Sequence, residues 1–402
     1  MTARPLTIGA TEGPLPPPIL RDGFRPLFLG AAAWAVVALG LWLAALSGGP
    51  SPGGSHGALA WHVHEMVFGV AAGVVGGFLL TAVPSWTGQP KAAGLPLAAI
   101  AAAWAAGRIA MLAPDAPGLA ASAVLDLAFP VVLLVRTAMQ VAAGRNWRNL
   151  PMVAGGLLLL AGNGVYHADM AGLVPGGATA GPEIGLFTIV LLIALIGGRI
   201  VPAFTRNWLM MSGRGEPLPV SQAWFDGLVV ALTVAASALW IAGAEGPLPA
   251  AAAGLAAVAH AVRLARWQGW RTTAEPLVLV LHLGYLWVAV GFALMAASLV
   301  ATGIVPRAAT LHAFGAGAMA TMMLAMMTRA TLGHTGRKLA ADGATVAIYL
   351  LVTVAAVARV GATLASDLHQ PGLILSGLAW MSAFLLYVGV YGPKLWGARI
   401  KD

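Results

Sequence analysis

The residues most able to do chemistry in this 402-residue chain are its nine histidines, because the chain has no cysteine. Thiolate metal ligands, disulfides, cysteine-held iron–sulfur clusters and a CxxCH haem attachment are thereby excluded, and His, Met, Tyr and carboxylates remain as ligands. His62 and His64 stand in Trp61-His62-Val63-His64-Glu65-Met66 at the start of one long apolar run, His167 ends another two residues before Asp169, and His312 begins a third. Imidazole suits copper and haem iron, and three or four imidazoles with a vacant position can hold a reactive metal. On a regular helix His62 and His64 lie about 200° apart, so they ligate one metal together only if that turn is irregular. Otherwise one binds a cofactor while the other bonds a neighbour or points outward, with Glu65 or an opposing carboxylate orienting an imidazole. The plainer reading is a helix start with interfacial Trp and His, and an acidic group near the N-terminal dipole. His167 has the same interfacial alternative.

Arg108 and Asp126 belong to the same level. They can form a buried ion pair with no chemistry, or Arg108 can neutralise a haem propionate. A second concentration comprises Arg199, His260, Glu275, His282 and His334. In EPLVLVLHLGYLW, His282 lies about two turns into its span, where a neutral imidazole needs haem iron, a carbonyl or a buried water. Tyr285, three residues on, shares nearly the same face and can donate to a ligand or a neighbouring helix. His260 beside Arg263 is a weaker ligand candidate that also reads as interfacial. Met319, Met322, Met323, Met326 and Met327 fill apolar packing or line a Cu(I) route. His334-Thr335-Gly336-Arg337 reads as a polar loop, either an anion site or a tight turn. Pro84 and Pro202 stand at expected membrane exits, where a kink admits a cofactor or simply ends the span.

The elements that must position these groups are membrane helices. The chain is 59% hydrophobic and 9% charged, whereas soluble domains carry about 25% charged residues, so one large aqueous enzyme is excluded. Apolar runs predict an all-α bundle of about twelve spans: 27–47, 59–83, 95–112, 118–142, 150–167, 182–204, 220–242, 249–267, 276–299, 308–328, 344–360 and 372–396. This makes residues 1–26 a polar, Pro-rich tail, 27–396 the bundle and 397–402 a second short tail. The net charge of +8 sits in short loops and calls for no nucleic acid. With the N-terminus cytoplasmic, the loop Lys and Arg from Arg4 to Lys401 fall inward and only Arg307 outward, while Arg108, Arg136, Arg199 and Arg359 sit within or near the ends of spans, which places both termini inside. Abundant Gly and Ala predict close helix packing, with no internal repeat evident.

Five stretches together resemble the NnrS family: WHVHEMVFGVAAGVVGGFLLTAVPSWTG from Trp61, NWRNLP from Asn146, GGRIVPAFTRNW from Gly197, EPLVLVLHLGYLW from Glu275, and LHAFGAGAMATMMLAMMTRATLGHTGR from Leu311. HxHEM combined with MTRATLGHTGR is much more specific than histidine content. Ser85 stands where the family is expected to favour Asn. The family's motifs fall on His62, His64, Glu65, Trp86, Arg199, Pro202, His282, Tyr285, His312, Arg329, His334 and Arg337. The resemblance implies a bacterial inner-membrane protein holding haem and copper, associated with nitric oxide, denitrification and protection against nitrosative stress. Nitric oxide or an iron-nitrosyl species is then the partner, and turnover needs an electron donor from outside the chain. Cofactor contacts are expected from His64, His312, His282, Arg199, Tyr285 and Arg108, and metal ligation from His62, His64, His167, His312 and His282. His64 and His312 are expected to share one metal, with His282 at another centre. The competing classes are a secondary transporter using intramembrane His and Arg, and a haem-based sensor or assembly factor without turnover.

Overall fold

The computed structural model describes residues 15–400 apart from Thr302. Residues 1–14, 401 and 402 of the expected tails lie outside the described residues. Twelve helices long and apolar enough to cross a membrane are present among them: α1 (Phe24–Leu46), α2 (Ala58–Thr87), α3 (Leu95–Leu112), α4 (Leu119–Ala143), α5 (Trp147–Met170), α6 (Gly177–Met211), α7 (Ala223–Ile241), α8 (Pro247–Arg266), α9 (Pro276–Val300), α10 (Arg307–His334), α11 (Gly343–Leu364) and α12 (Ser366–Trp396). No strand occurs among the described residues, so the backbone polar groups are satisfied within helices, as hydrocarbon requires. Side chains such as Ile109, Val124, Leu350 and Leu385 are exposed around the bundle. That is the surface expected to face lipid rather than water.

The third span has the bounds that its apolar run predicts, while several others run longer. Pro84 and Pro202 lie inside α2 and α6 and do not mark their exits. Likewise, His334 is the last residue of α10 and not a loop residue. Polar MTRATLGH can be buried as helix because Thr328, Thr331 and Thr335 satisfy their hydroxyls on the carbonyls of Leu324, Met327 and Thr331 at 2.8, 2.6 and 2.5 Å. Met319, Met322, Met323 and Met327 are buried in the core, the packing role that is their plainer reading.

The most enclosed helices are α2 and α10, each 72% buried, followed by α6 and α9. All three π-helical stretches are on this central set: Glu65–Ala71 in α2, Ile193–Gly197 in α6 and Ala313–Met319 in α10. A wider turn offsets the side-chain register and leaves carbonyls out of line. In α2 that offset is compensated by Trp104, whose indole donates to the Gly69 carbonyl at 2.9 Å. Small residues set the spacing between helices: a Cβ on Gly162 of α5 would lie 2.7 Å from the Gly181 carbonyl oxygen of α6. Arg25 at the start of α1 donates to the Leu395 and Gly397 carbonyls, each at 2.8 Å. Both ends of the described chain therefore lie at one end of the bundle, here called the terminal end. His62, His64, His167 and His312 all lie toward the opposite end, the common level that their positions in the spans predict.

Candidate functional site

The opposite end contains two polar sites back to back across the first turns of α2. Ala58–His64 is ordinary α-helix and the π-helical stretch begins only at Glu65. The irregularity that could have brought His62 and His64 together comes one residue too late. They consequently point to different sides, and His64 does not meet His312.

His64 is fully buried in a cluster drawn from α1, α2, α3, α4 and α5. Its Nδ1 lies 2.9 Å from Glu65 Oε1, and its Nε2 lies 3.1 Å from Asp126 Oδ2 and 2.9 Å from Asn163 Oδ1. Asp126 Oδ2 also faces His167 Nε2 at 2.9 Å and accepts from Asn163 Nδ2 at 2.7 Å. Arg108 Nη1 donates to both Glu65 oxygens at 2.7 Å, and its Nη2 pairs with Asp126 Oδ1. Trp34 donates to Glu65 Oε2 at 2.6 Å. Arg108 and Asp126 thus form the ion pair that sequence allows, with Glu65 as a third member. Arg108 is committed to both carboxylates, so it is not placed to meet a haem propionate.

Every atom facing the two His64 ring nitrogens is an acceptor. A neutral imidazole has one nitrogen that must accept, so either a neighbouring carboxyl turns a proton toward it or that nitrogen holds a cation. The charge balance agrees: two carboxylates against one guanidinium leave one uncompensated negative charge in a buried site, which is costly unless a proton or metal offsets it. One ligand atom each from His64, Asp126 and His167 lie within 4.8 Å of one another, the convergence that a metal ion needs. Asn163 and His167 lie four residues apart on α5, hence on one face. That spacing was a readable signal for Asn163; Trp34 offered none.

His56, in the loop before α2, accepts or donates at Nδ1 with the Tyr166 hydroxyl at 2.9 Å, and its ring lies 6.4 Å from that of His167. Burial pushes the His56 imidazole down to about 4. In the next loop, hydrogen bonds from the Ser55 side chain and backbone hold the Asp115 carboxyl below the ordinary carboxylate range.

On the other side of α2, His62 and His312 line one cavity of about 200 Å³ between α1, α2, α6, α10, α11 and α12. His62 stacks on Trp42 with ring centres 4.7 Å apart and planes 12° from parallel, and its buried Nδ1 has no partner. His312 Nδ1 donates to the Ala308 carbonyl at 2.7 Å. A carbonyl only accepts, so this bond fixes the tautomer and leaves the His312 Nε2 lone pair available. Arg359 reaches the same cavity with a buried Nη1 that has no partner. Glu183 closes the end nearest the bundle surface, held by Arg307 at 2.6 and 2.8 Å. The expected sharing of one metal by His64 and His312 is replaced by two separate pairings: His62 with His312 at the cavity, and His64 with His167 in the cluster.

His282, Tyr285 and Arg199 lie elsewhere. Near the terminal end, Thr233 donates to the Val229 carbonyl at 2.7 Å and accepts from His260 Nε2 at 2.9 Å. His260 Nδ1 then accepts from the Tyr285 hydroxyl at 2.9 Å, whose oxygen accepts from Arg263 Nη1 at 3.0 Å. Arg263 Nε pairs with Asp226 at 2.7 Å. Every group in this chain has its proton assigned and its partner met, so it ties α7, α8 and α9 together and leaves Tyr285 no free valence for a ligand. His282 Nε2 donates to Thr205 Oγ1 at 2.8 Å, while its Nδ1 is buried without a partner against Gly269. Arg199 is exposed on the outside of α6 and faces neither site.

Fold and sites together define a polytopic helical membrane protein with a buried histidine–carboxylate cluster beside a histidine-lined cavity. The family described as NnrS protein matches residues 18–399, nearly the whole chain. The chain belongs to the NnrS family, as the HxHEM and MTRATLGHTGR stretches imply. No curated protein matches it.

Proposed function

We propose that the protein holds haem and copper in the bacterial inner membrane, with both termini cytoplasmic, and that it lowers the level of nitric oxide or of iron-nitrosyl species. The observation that carries this reading is the concentration of ligand-competent imidazoles at one end of the bundle. They are of two kinds, one kind set among carboxylates and the other lining an apolar cavity.

The cluster suits copper. His64, His167 and Asp126 supply two nitrogens and one oxygen, Glu65 orients the His64 ring through Nδ1, and a cation there offsets the surplus negative charge. The cavity carries the donors a haem would use, although at about 200 Å³ it would have to widen to admit one: His62 has a partnerless ring nitrogen, His312 has its Nε2 free, and Arg359 brings an unpaired guanidinium N–H suited to a propionate. When bound, such centres supply a site for a diatomic ligand and a path for single electrons. The protein's own part is to exclude water with apolar walls, fix imidazole orientation through Ala308 and Glu65, and keep a proton-bearing group at His64. Electrons would come from a partner or a small reductant.

Absorption spectra of the detergent-purified protein, oxidised and reduced, with and without nitric oxide and with metals quantified, test the reading. A Soret band that shifts with nitric oxide, together with copper, is the expected result. Protein made under haem- and copper-sufficient conditions that has neither cofactor overturns it. Gradient-driven uptake in proteoliposomes with no spectral response would make it a transporter instead.

A further inference from the structure

Leu43 of α1 and Leu373 of α12 line two spaces at once. One is the His62–His312 cavity, and the other is a recess bounded also by Ser47, His369 and Gln370 at the same end of the bundle. We propose that small uncharged molecules enter the cavity sideways from the bilayer, through this recess and between α1 and α12, past Leu43 and Leu373.

Three observations favour that direction. Toward the bundle surface the cavity is bounded by Glu183, itself buried, whose carboxylate accepts from Arg307 Nε and from Nη2. Toward the bundle axis it is closed by core side chains, among them Val67, Leu186 and Met319. At the seam between α1 and α12, by contrast, the Leu43 side chain rests directly on the Gly377 backbone, where a Cβ would lie 2.5 Å from Leu43 Cδ1. Leu43 and Leu373, which line both the cavity and the recess, are the side chains whose rotamers would have to change to join the two. Beside the recess, Leu46, Ile374 and Leu378 are exposed on what reads as the lipid-facing side.

The chemistry of the lining selects the visitor. No Asp, Glu, Lys or Arg bounds the recess among the described residues. His369 Nδ1 donates to the Ala362 carbonyl at 3.1 Å, so that nitrogen is turned away from the recess. An ion passing between Leu43 and Leu373 would lose its hydration there with no opposite charge to replace it. A small neutral molecule already dissolved in hydrocarbon loses nothing. The passage rests on the reading of the cavity as the place where such a molecule is met, but its existence can be measured without any cofactor.

Because the chain has no cysteine, Ala316→Cys places a single thiol in the cavity wall. Protein as purified, reconstituted in vesicles, is labelled with neutral methyl methanethiosulfonate and with a permanently cationic methanethiosulfonate, each rate taken relative to that reagent's rate with a free thiol in solution, and its absorption spectrum is read on the same sample. The neutral reagent should react faster, and its rate should fall about tenfold when Leu43→Trp or Leu373→Trp fills the passage. Opening the other side with Arg307→Gln should leave that rate unchanged. Should one tryptophan variant fail to fold, the other decides. Equal rates for the two reagents, or a neutral-reagent rate unaffected by the folded tryptophan variants, would overturn the proposal. A passage that behaves as expected in protein with no Soret band would sink the haem reading while leaving the passage standing.

Discussion

His62 and His64 are two residues apart on one α-helical turn and belong to different sites. His62 lies flat on Trp42 at the cavity, while His64 is held between Glu65, Asp126 and Asn163. The first prediction follows directly. His62→Ala and His312→Ala should alter one spectroscopic signal, and His64→Ala and His167→Ala another. Metal content and spectra of the four variants check this. A signal lost in common by His64→Ala and His312→Ala would reject the assignment.

Arg108 is the sole guanidinium among the groups on Glu65 and Asp126. Arg108→Gln should destabilise the protein by about 3–5 kcal/mol, the cost of leaving a buried charge without its partner. The double variant Arg108→Gln with Glu65→Gln should recover part of that loss. Thermal unfolding in detergent measures both, and a double variant no more stable than Arg108→Gln alone would argue against electrostatic coupling.

Gly69 follows Glu65 by one turn, and a Cβ there would lie 2.5 Å from Glu65 Oε2 and 2.7 Å from Arg108 Nη1. Gly69→Ala should therefore cost about 1–3 kcal/mol by overpacking, with loss of metal bound at the cluster and retention of the cavity signal. Unchanged metal content in Gly69→Ala would mean that the Glu65 position is not needed for binding.

Burial lowers His56 to about 4 from its ordinary 6.5. Folding thus favours the neutral ring, and the unfolded chain takes up a proton that the folded chain refuses. The stability contributed by neutral His56 is complete above about pH 6.5 and is lost as pH falls toward 4. His56→Phe should flatten the decline of the unfolding midpoint over that window, measured by thermal melts across the pH series. An equally steep decline in the variant would show that other groups govern it.

His282 sits near the terminal end, bonded to Thr205 at 2.8 Å. His282→Ala should leave the signals of both opposite-end sites in place and cost about 1 kcal/mol for the lost hydrogen bond. Loss of either signal would place His282 among the ligands after all.

The number of spans and the common level of His62, His64, His167 and His312 were legible because both follow from local runs of apolar residues. What sequence leaves open is azimuth, meaning which way each helix turns its polar groups. The separation of about 200° between His62 and His64 was readable, and it held because their turn is regular. Their partners were not readable, since depth along the membrane does not distinguish α5 from α10. Helix ends were misjudged where a polar segment satisfies its hydroxyls on its own backbone carbonyls and so stays buried as helix, as at Thr328, Thr331 and Thr335. Arg199 illustrates the opposite limit: an arginine in a motif-rich segment drew attention, but its side of α6 faces outward.

The single turn shared by the two sites also couples them electrostatically. Side chains on opposite faces of one helix are about 10 Å apart, and at an effective dielectric constant of about 20 a unit charge gained on one side shifts the energy of a charge on the other by roughly 1.5 kcal/mol. An electron or proton arriving beside His62 would therefore alter the occupancy of the site around His64 about tenfold. Titrating or reducing either one in isolation would misreport the other, and curves for the pair should be fitted jointly.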